Sequence, residues 1–262
     1  MNRPSALSAA EKVSPLKRDP ALLPALAAIW ISLAVFVLYP VLRLFLMTFM
    51  VEGQFSFANL GAVLDSWYDR QAFLNSLWLA GAVSVAGTAL GYIYAFAVTR
   101  IPLPSWLKWF LGAVTTLPLI SPPFTSSIAL TLSLGPNGIL LKFFGIENFS
   151  FYGFWGTWMS ETLTYFPVSF LTLAAVLSAI DPNLEDAGLS LGASPGRVFR
   201  TVTLPLSTPG IANSVLLLFA SSLADFATPL VLAGHSFPVL PTQAYLQITG
   251  LYDLRGGAAL SF

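Results

Sequence analysis

Between Asp19 and Arg43 the chain carries no charged residue, and the same silence recurs from Arg70 to Arg100 and from Lys108 to Lys142. Runs of this length decide the solvent before they decide the fold. A helix rises about 1.5 Å per residue, so about 20 mostly apolar residues cross a hydrocarbon layer of about 30 Å. No water is available there for backbone N–H and C=O groups, so such segments must be helical. Charged residues are 9% of the 262, where a soluble domain carries about a quarter. The expected fold is an all-α, polytopic transmembrane helical bundle.

About five complete spans are expected. The first runs approximately from Leu22 to Thr48, and the next two lie in the charge-free intervals after Arg70 and Lys108. A fourth runs from about Phe154 to Ile180 around Glu161, and a fifth from about Gly210 to Ala233, with Asp225 near its far end. Residues Gly256 to Phe262 read as the beginning of a sixth helix, so the sequence is expected to be cut within its last helix or to be part of a longer polypeptide.

Residues 1–19 form a polar tail. The apolar run behind that tail is too long and uninterrupted for a cleaved signal peptide, so it reads as a first span opening a membrane domain over 20–262. Placing the tail in the cytoplasm collects Arg3, Lys12, Lys17, Arg18, Arg100, Lys108, Arg197 and Arg200 on one side. Glu52, Asp65, Asp69, Glu147 and Asp253 then gather outside, which fixes an N-in topology in an inner membrane.

Composition also excludes. Zero net charge argues against a nucleic-acid partner, and zero Cys removes disulfides, thiolate sites and cysteine nucleophiles. His235 is the single His and reads as a solvated loop residue, so no metal site is expected. Trp106, Trp109, Trp155 and Trp158 read as interfacial anchors. In the second span Gly87 and Gly91 are four apart, as are Ala82 and Ala86, a spacing that lets helix backbones approach. Leu117 to Pro123 is the best candidate for a bent, cavity-lining helix. Glu161 and Asp225 are the ionisable residues inside apparent spans; they have either a structural role near the outer face or line an outer vestibule suited to a cationic solute.

The connection over about 181–207 departs from a bland loop. Asp181-Pro182, Ser194-Pro195 and Thr208-Pro209 each set a capping oxygen before a proline, and Gly192 comes after the first helical stretch. Two short helices joined at Gly192 are expected. Leu184, Ala187 and Leu191 make an apolar stripe on the first, Val198 and Val202 on the second, and small Ala187 and Gly188 leave room for a partner.

This segment resembles the EAA loop of ABC-importer permeases: Glu-Ala-Ala, three residues, Gly, nine residues, Ile, one residue, Leu-Pro. Asp186, Ala187 and Gly188 occupy the first positions, Gly192 the glycine, Val202 the isoleucine, and Leu204-Pro205 the final pair, with Glu185 able to share the acidic role. The resemblance implies a bundle of the ABC importer permease type whose loop seats in a cytoplasmic ABC ATPase dimer. It implies an external substrate-binding protein, a second permease half (fused or separate) and a lipid environment. ATP would be bound by the ATPase, since P-loop residues are absent here, so this chain is a transport subunit without a cofactor and not an enzyme. Leu223 to Leu230 and Pro241 to Tyr245 are similar to the ferric-iron subgroup, which makes iron(III) the first expected substrate; polyamine, phosphonate, thiamine or sulfate are the alternatives. A membrane sensor or scaffold could use the same amphipathic loop.

Overall fold

The structure is a computed structural model describing residues 22–51, 53–136, 138–146 and 151–262. Arg3, Lys12, Lys17, Arg18, Glu52 and Glu147 lie outside the described residues. In chain order, α1 is Leu22–Phe49, and after it comes a small antiparallel hairpin of β1 (Met50–Val51) and β2 (Gln54–Phe55) with Met50 opposite Phe55. Next come α2 (Ala58–Asp65), α3 (Trp67–Arg100), α4 (Ser105–Ile120), α5 (Pro123–Leu134), α6 (Ile139–Phe143) and α7 (Phe154–Ala179). The chain ends with α8 (Pro182–Ser190), α9 (Pro195–Ala224), α10 (Ala227–Leu232), α11 (Leu240–Thr249) and α12 (Leu254–Ser261). Among the described residues five stretches are long and apolar enough to cross a membrane: α1, α3, Phe124–Phe143 (α5 and α6 together), α7 and α9.

The centre is a trio in which α3, α7 and α9 pack on one another. Lipid offers no hydrophobic drive between helices, so close approach has to supply the contact. Glycines make it possible. A Cβ on Gly91 would stand 2.5 Å from Ser169 Oγ and 2.8 Å from the Phe170 nitrogen, and one on Gly210 would stand 2.8 Å from a Val176 methyl. Ala95, Phe170, Leu173, Leu177 and Ile180 fill the core toward the end of the bundle carrying α8, here the connection end. Leu79, Val83 and Val239 do so toward the far end. α1 lies outside: its first buried residues are Thr48 and Phe49, and its apolar surface is left for lipid.

Prolines shape the spans in two ways. A proline lacks an N–H and its ring strikes the carbonyl four residues back. In α1 and α9 one π turn absorbs this: the N–H of Tyr39 donates to Ala34 O and that of Leu204 to Phe199 O, each five residues back and each just before a proline, Pro40 or Pro205. After Lys108 the outcome is a clean break. A residue preceding proline avoids the helical region. Pro122 and Pro123 are consecutive, so Ser121 and Pro122 are both extended, with ψ of 147° and 144°. The expected bent helix is therefore two helices, with Pro118 inside the first.

Three further expectations are corrected. The fifth span is Pro195–Ala224, displaced from Gly210 to Ala233, because the helix starts at Pro195 and ends at Asp225. The second short helix of the connection is the first turns of α9. Thr208-Pro209 starts nothing; the Thr208 hydroxyl donates to Leu204 O and Pro209 lies within the helix.

The two classes of glycine on α3 should separate on mutation. Gly91→Ala is expected to lower stability by about 1–3 kcal/mol, since backbone faces the new methyl. Gly81→Ala, where nothing lies within 4 Å, should stay within about 0.5 kcal/mol. Thermal unfolding of the two variants in one detergent checks this, and equal losses would refute the packing role of Gly91.

Candidate functional site

The connection between α7 and α9 is built by local chemistry. The carboxylate of Asp181 accepts a 3.0 Å hydrogen bond from the Asn183 N–H while Pro182 fills the first helical position, starting α8. Gly192 stops it in a left-handed conformation, φ 82°. Its N–H donates to Leu189 O at 2.9 Å and that of Ala193 to Gly188 O at 3.1 Å, the paired bonds of a Schellman ending. The next helix begins at Pro195 after Ser194, whose side chain makes no capping bond.

Nothing on α8 is buried. Leu184 is 50% exposed and Leu191, in the turn beyond it, 89%. Asp186 and Ala187 are exposed beside them. Gly188 has a use inside the chain: a Cβ there would stand 3.1 Å from a Val198 methyl, so the glycine seats α8 on α9. The expected Val198–Val202 stripe also shifts, because the π turn carries Thr203 inward with Val198 and leaves Val202 half-buried. Leu204 and Pro205 are exposed on α9.

The two neighbouring carboxylates take different parts. Glu185 turns inward: its Oε1 lies 3.1 Å from Arg100 Nε, an ion pair without an aligned hydrogen bond, and accepts a 2.7 Å hydrogen bond from Thr203 Oγ1. Arg100 also donates to Ile180 O at 3.2 Å. The last residue of α3, the end of α7, α8 and α9 are thereby tied at one point. Sequence reasoning treated Arg100 only as a topological charge, and its distance along the chain from Glu185 hid the pairing.

A second polar cluster sits at the far end, where Glu161 and Asp225 come together with each other but not with the connection. Glu161 is 0% exposed and Asp225 7%, so neither lines an open vestibule. The Ser222 hydroxyl donates to Glu161 Oε2. Asp225 stands at the break after α9, where its Oδ1 accepts from the N–H groups of Ala227 (2.9 Å) and Thr228 (3.2 Å) and starts α10. Ser127 on α5 and Ser160 on α7 share a buried 3.1 Å hydrogen bond. Tyr165, one turn beyond Glu161, sets its hydroxyl beside Asp225. Ser222 and Thr228 were not anticipated, although Ser222 lies three residues before Asp225, a helical-face spacing that could have flagged it.

His235 is exposed, as expected of a loop residue, and Trp106, Trp109 and Trp155 are exposed near helix starts. Trp158 departs from the anchor role, since it packs on the Leu79–Val83 cluster. An apolar cavity of about 720 Å³ opens at the far end between Phe73, Leu223, Phe226 and Tyr245. Among the described residues no group of three or more His, Cys, Asp or Glu side chains could hold a metal ion.

Comparison with known proteins places this architecture. The ferric transport system permease protein FbpB of Actinobacillus pleuropneumoniae is 34% identical over 91% of this chain, which spans 35% of that relative's length. The molybdenum transport system permease protein ModB of Escherichia coli K12 is 32% identical over 63% of this chain and 72% of its own. A crystal structure of a bacterial ABC transporter that imports the acidic polysaccharide alginate superposes with a TM-score of 0.75 at 19% identity, covering 94% of this chain and 89% of that one, and so shares the fold. Residues 87–260, which carry the later part of α3, all of α7 and α9, the connection and the acidic pair, match one family model. The chain belongs to the family of binding-protein-dependent transport system inner membrane components.

Proposed function

We propose that this chain is the permease part of an ATP-driven importer, with α8 as the helix that couples it to a cytoplasmic ATPase dimer. One observation carries the reading: α8 is held rigidly by the Glu185–Arg100–Thr203 tie yet presents Leu184 and Leu191 without a partner. A helix fixed from behind and apolar in front is built to transmit a push. ATP binds and is hydrolysed in the partner, and closure of that partner moves α3, α7 and α9 together through their shared tie.

Arg100, Lys108, Arg197 and Arg200 all lie toward the connection end, which supports a cytoplasmic α8 and an N-in chain. In this reading 20–262 is permease domain, 181–207 is its coupling loop, an external binding protein delivers solute at the far end, and a second permease half completes the path. Iron(III) is the proposed solute, supported by the likeness to a ferric permease along most of this chain. A molybdenum transport permease is also similar, but paired buried carboxylates suit a cation better than an anion. A sensor or scaffold using the same loop is the rival class.

Gly192→Asp should leave the chain inserted, cut the co-purifying ATPase at least tenfold and abolish ATP-dependent iron(III) uptake, because charge spoils the docking face. Gly192→Asn, a residue that tolerates the left-handed conformation, should keep both within threefold. A stable wild-type chain with no ATPase beside it would favour the scaffold reading. For the tie, Arg100→Ala and Glu185→Ala should show a coupling of about 0.5–1 kcal/mol in a double-mutant unfolding cycle. Additive losses would mean that the pair holds nothing.

A further inference from the structure

Each carboxylate of the far-end pair gives one oxygen to the protein and keeps the other unmatched. Glu161 Oε2 accepts from Ser222 while Oε1 has no partner; Asp225 Oδ1 accepts from two backbone N–H groups, and the Tyr165 hydroxyl stands beside Asp225 without completing a hydrogen bond to Oδ2. The hydroxyl of Thr228, a residue 0% exposed, is likewise without a partner. Among the described residues neither carboxylate has a cationic partner; the ion pair there is Arg100–Glu185 at the opposite end. Buried carboxylate oxygens left in this condition are costly at membrane depth, where ionisable side chains commonly face a partner or a solute path.

We infer that Glu161, Asp225 and Thr228 form an occluded, transient site for a single hard cation in the far-end half of the bundle. The inference rests on the importer reading and names where its solute pauses. The donor chemistry is all oxygen, carboxylate and hydroxyl, which selects hard cations over soft ones. Two carboxylates are too few for a permanent metal centre, which suits cargo that must leave again. The placement is equally suited. Glu161 lies in α7, Asp225 at the hinge between α9 and α10, and α10 packs on α5 and α7, so the oxygens come from elements that can separate.

Terbium(III), a hard trivalent probe, reports the site through emission sensitised by nearby Tyr165. The wild-type chain, co-purified with its native partners into phosphatidylcholine nanodiscs without nucleotide, should give saturable emission displaced by gallium(III). Glu161→Gln and Asp225→Asn should each raise the half-saturating terbium concentration at least tenfold. Thr228→Val, which keeps both carboxylates and the side-chain volume, should raise it about threefold and decides the matter if a carboxylate variant fails to fold. Tyr165→Phe should dim the emission, as expected of a probe bound beside that ring. Midpoints that stay put in all three ligand variants would overturn the site and leave a pair that merely shares a proton. Iron(III) uptake by the wild type, measured in cells, separates the two failures: uptake with unmoved midpoints sinks the site alone, whereas a wild type without uptake or ATPase sinks the importer reading.

Discussion

Close approach of helix backbones at Gly91 and Gly210 is the contact on which the remaining architecture depends. In water a bundle would gather by hiding apolar side chains, but lipid is as apolar as leucine, and only fit distinguishes helix from solvent. Where Gly91 meets the Phe170 backbone and Gly210 meets Val176, α3, α7 and α9 are drawn into a single body. Everything with chemical interest hangs from that body. The Arg100–Glu185 tie closes one end, and the Glu161–Ser222 hydrogen bond joins α7 to α9 at the other.

Much of this was legible in the sequence, and the physical reasons for the failures are specific. The limits of α1 and α7 fall within a residue of expectation, because a charge-free run is a direct record of the solvent it faces. The Gly192 ending was equally legible, since few residues besides glycine sit comfortably at φ 82°. The displaced fifth span has another cause. Arg197 and Arg200 read as part of a cytoplasmic connection, and Asp225 as a charge near the end of a span, whereas the helix begins before the arginines and ends at the aspartate. Helices α10 and α11 are too short for apolar periodicity to announce them.

The sequence marked the connection over 181–207 as ordered and capped, but not which of its carboxylates faces the bundle. Glu185 and Asp186 are adjacent, so on a helix they point about 100° apart, and only one can face the bundle. Which one depends on Arg100, a partner remote in sequence. Gly188 illustrates the same limit. Its smallness was visible, but whether it made room for a foreign surface or for Val198 was decided by packing alone.

The π turn at Phe199–Thr203 has a consequence for aim. Along α9 the inward residues Thr203, Ser207, Gly210, Ser214, Leu218 and Ser222 keep to steps of three or four, but from Val198 to Thr203 the step is five. One surplus residue has been wound into the helix, and it offsets the phase of the first turn against the rest by about 100°. Because α8 leans on that first turn through Val198, its compass bearing around the bundle is set by a single residue beside a proline. Point substitutions there would leave the bearing intact, whereas a one-residue deletion would turn the exposed leucines toward a different quarter of the surface.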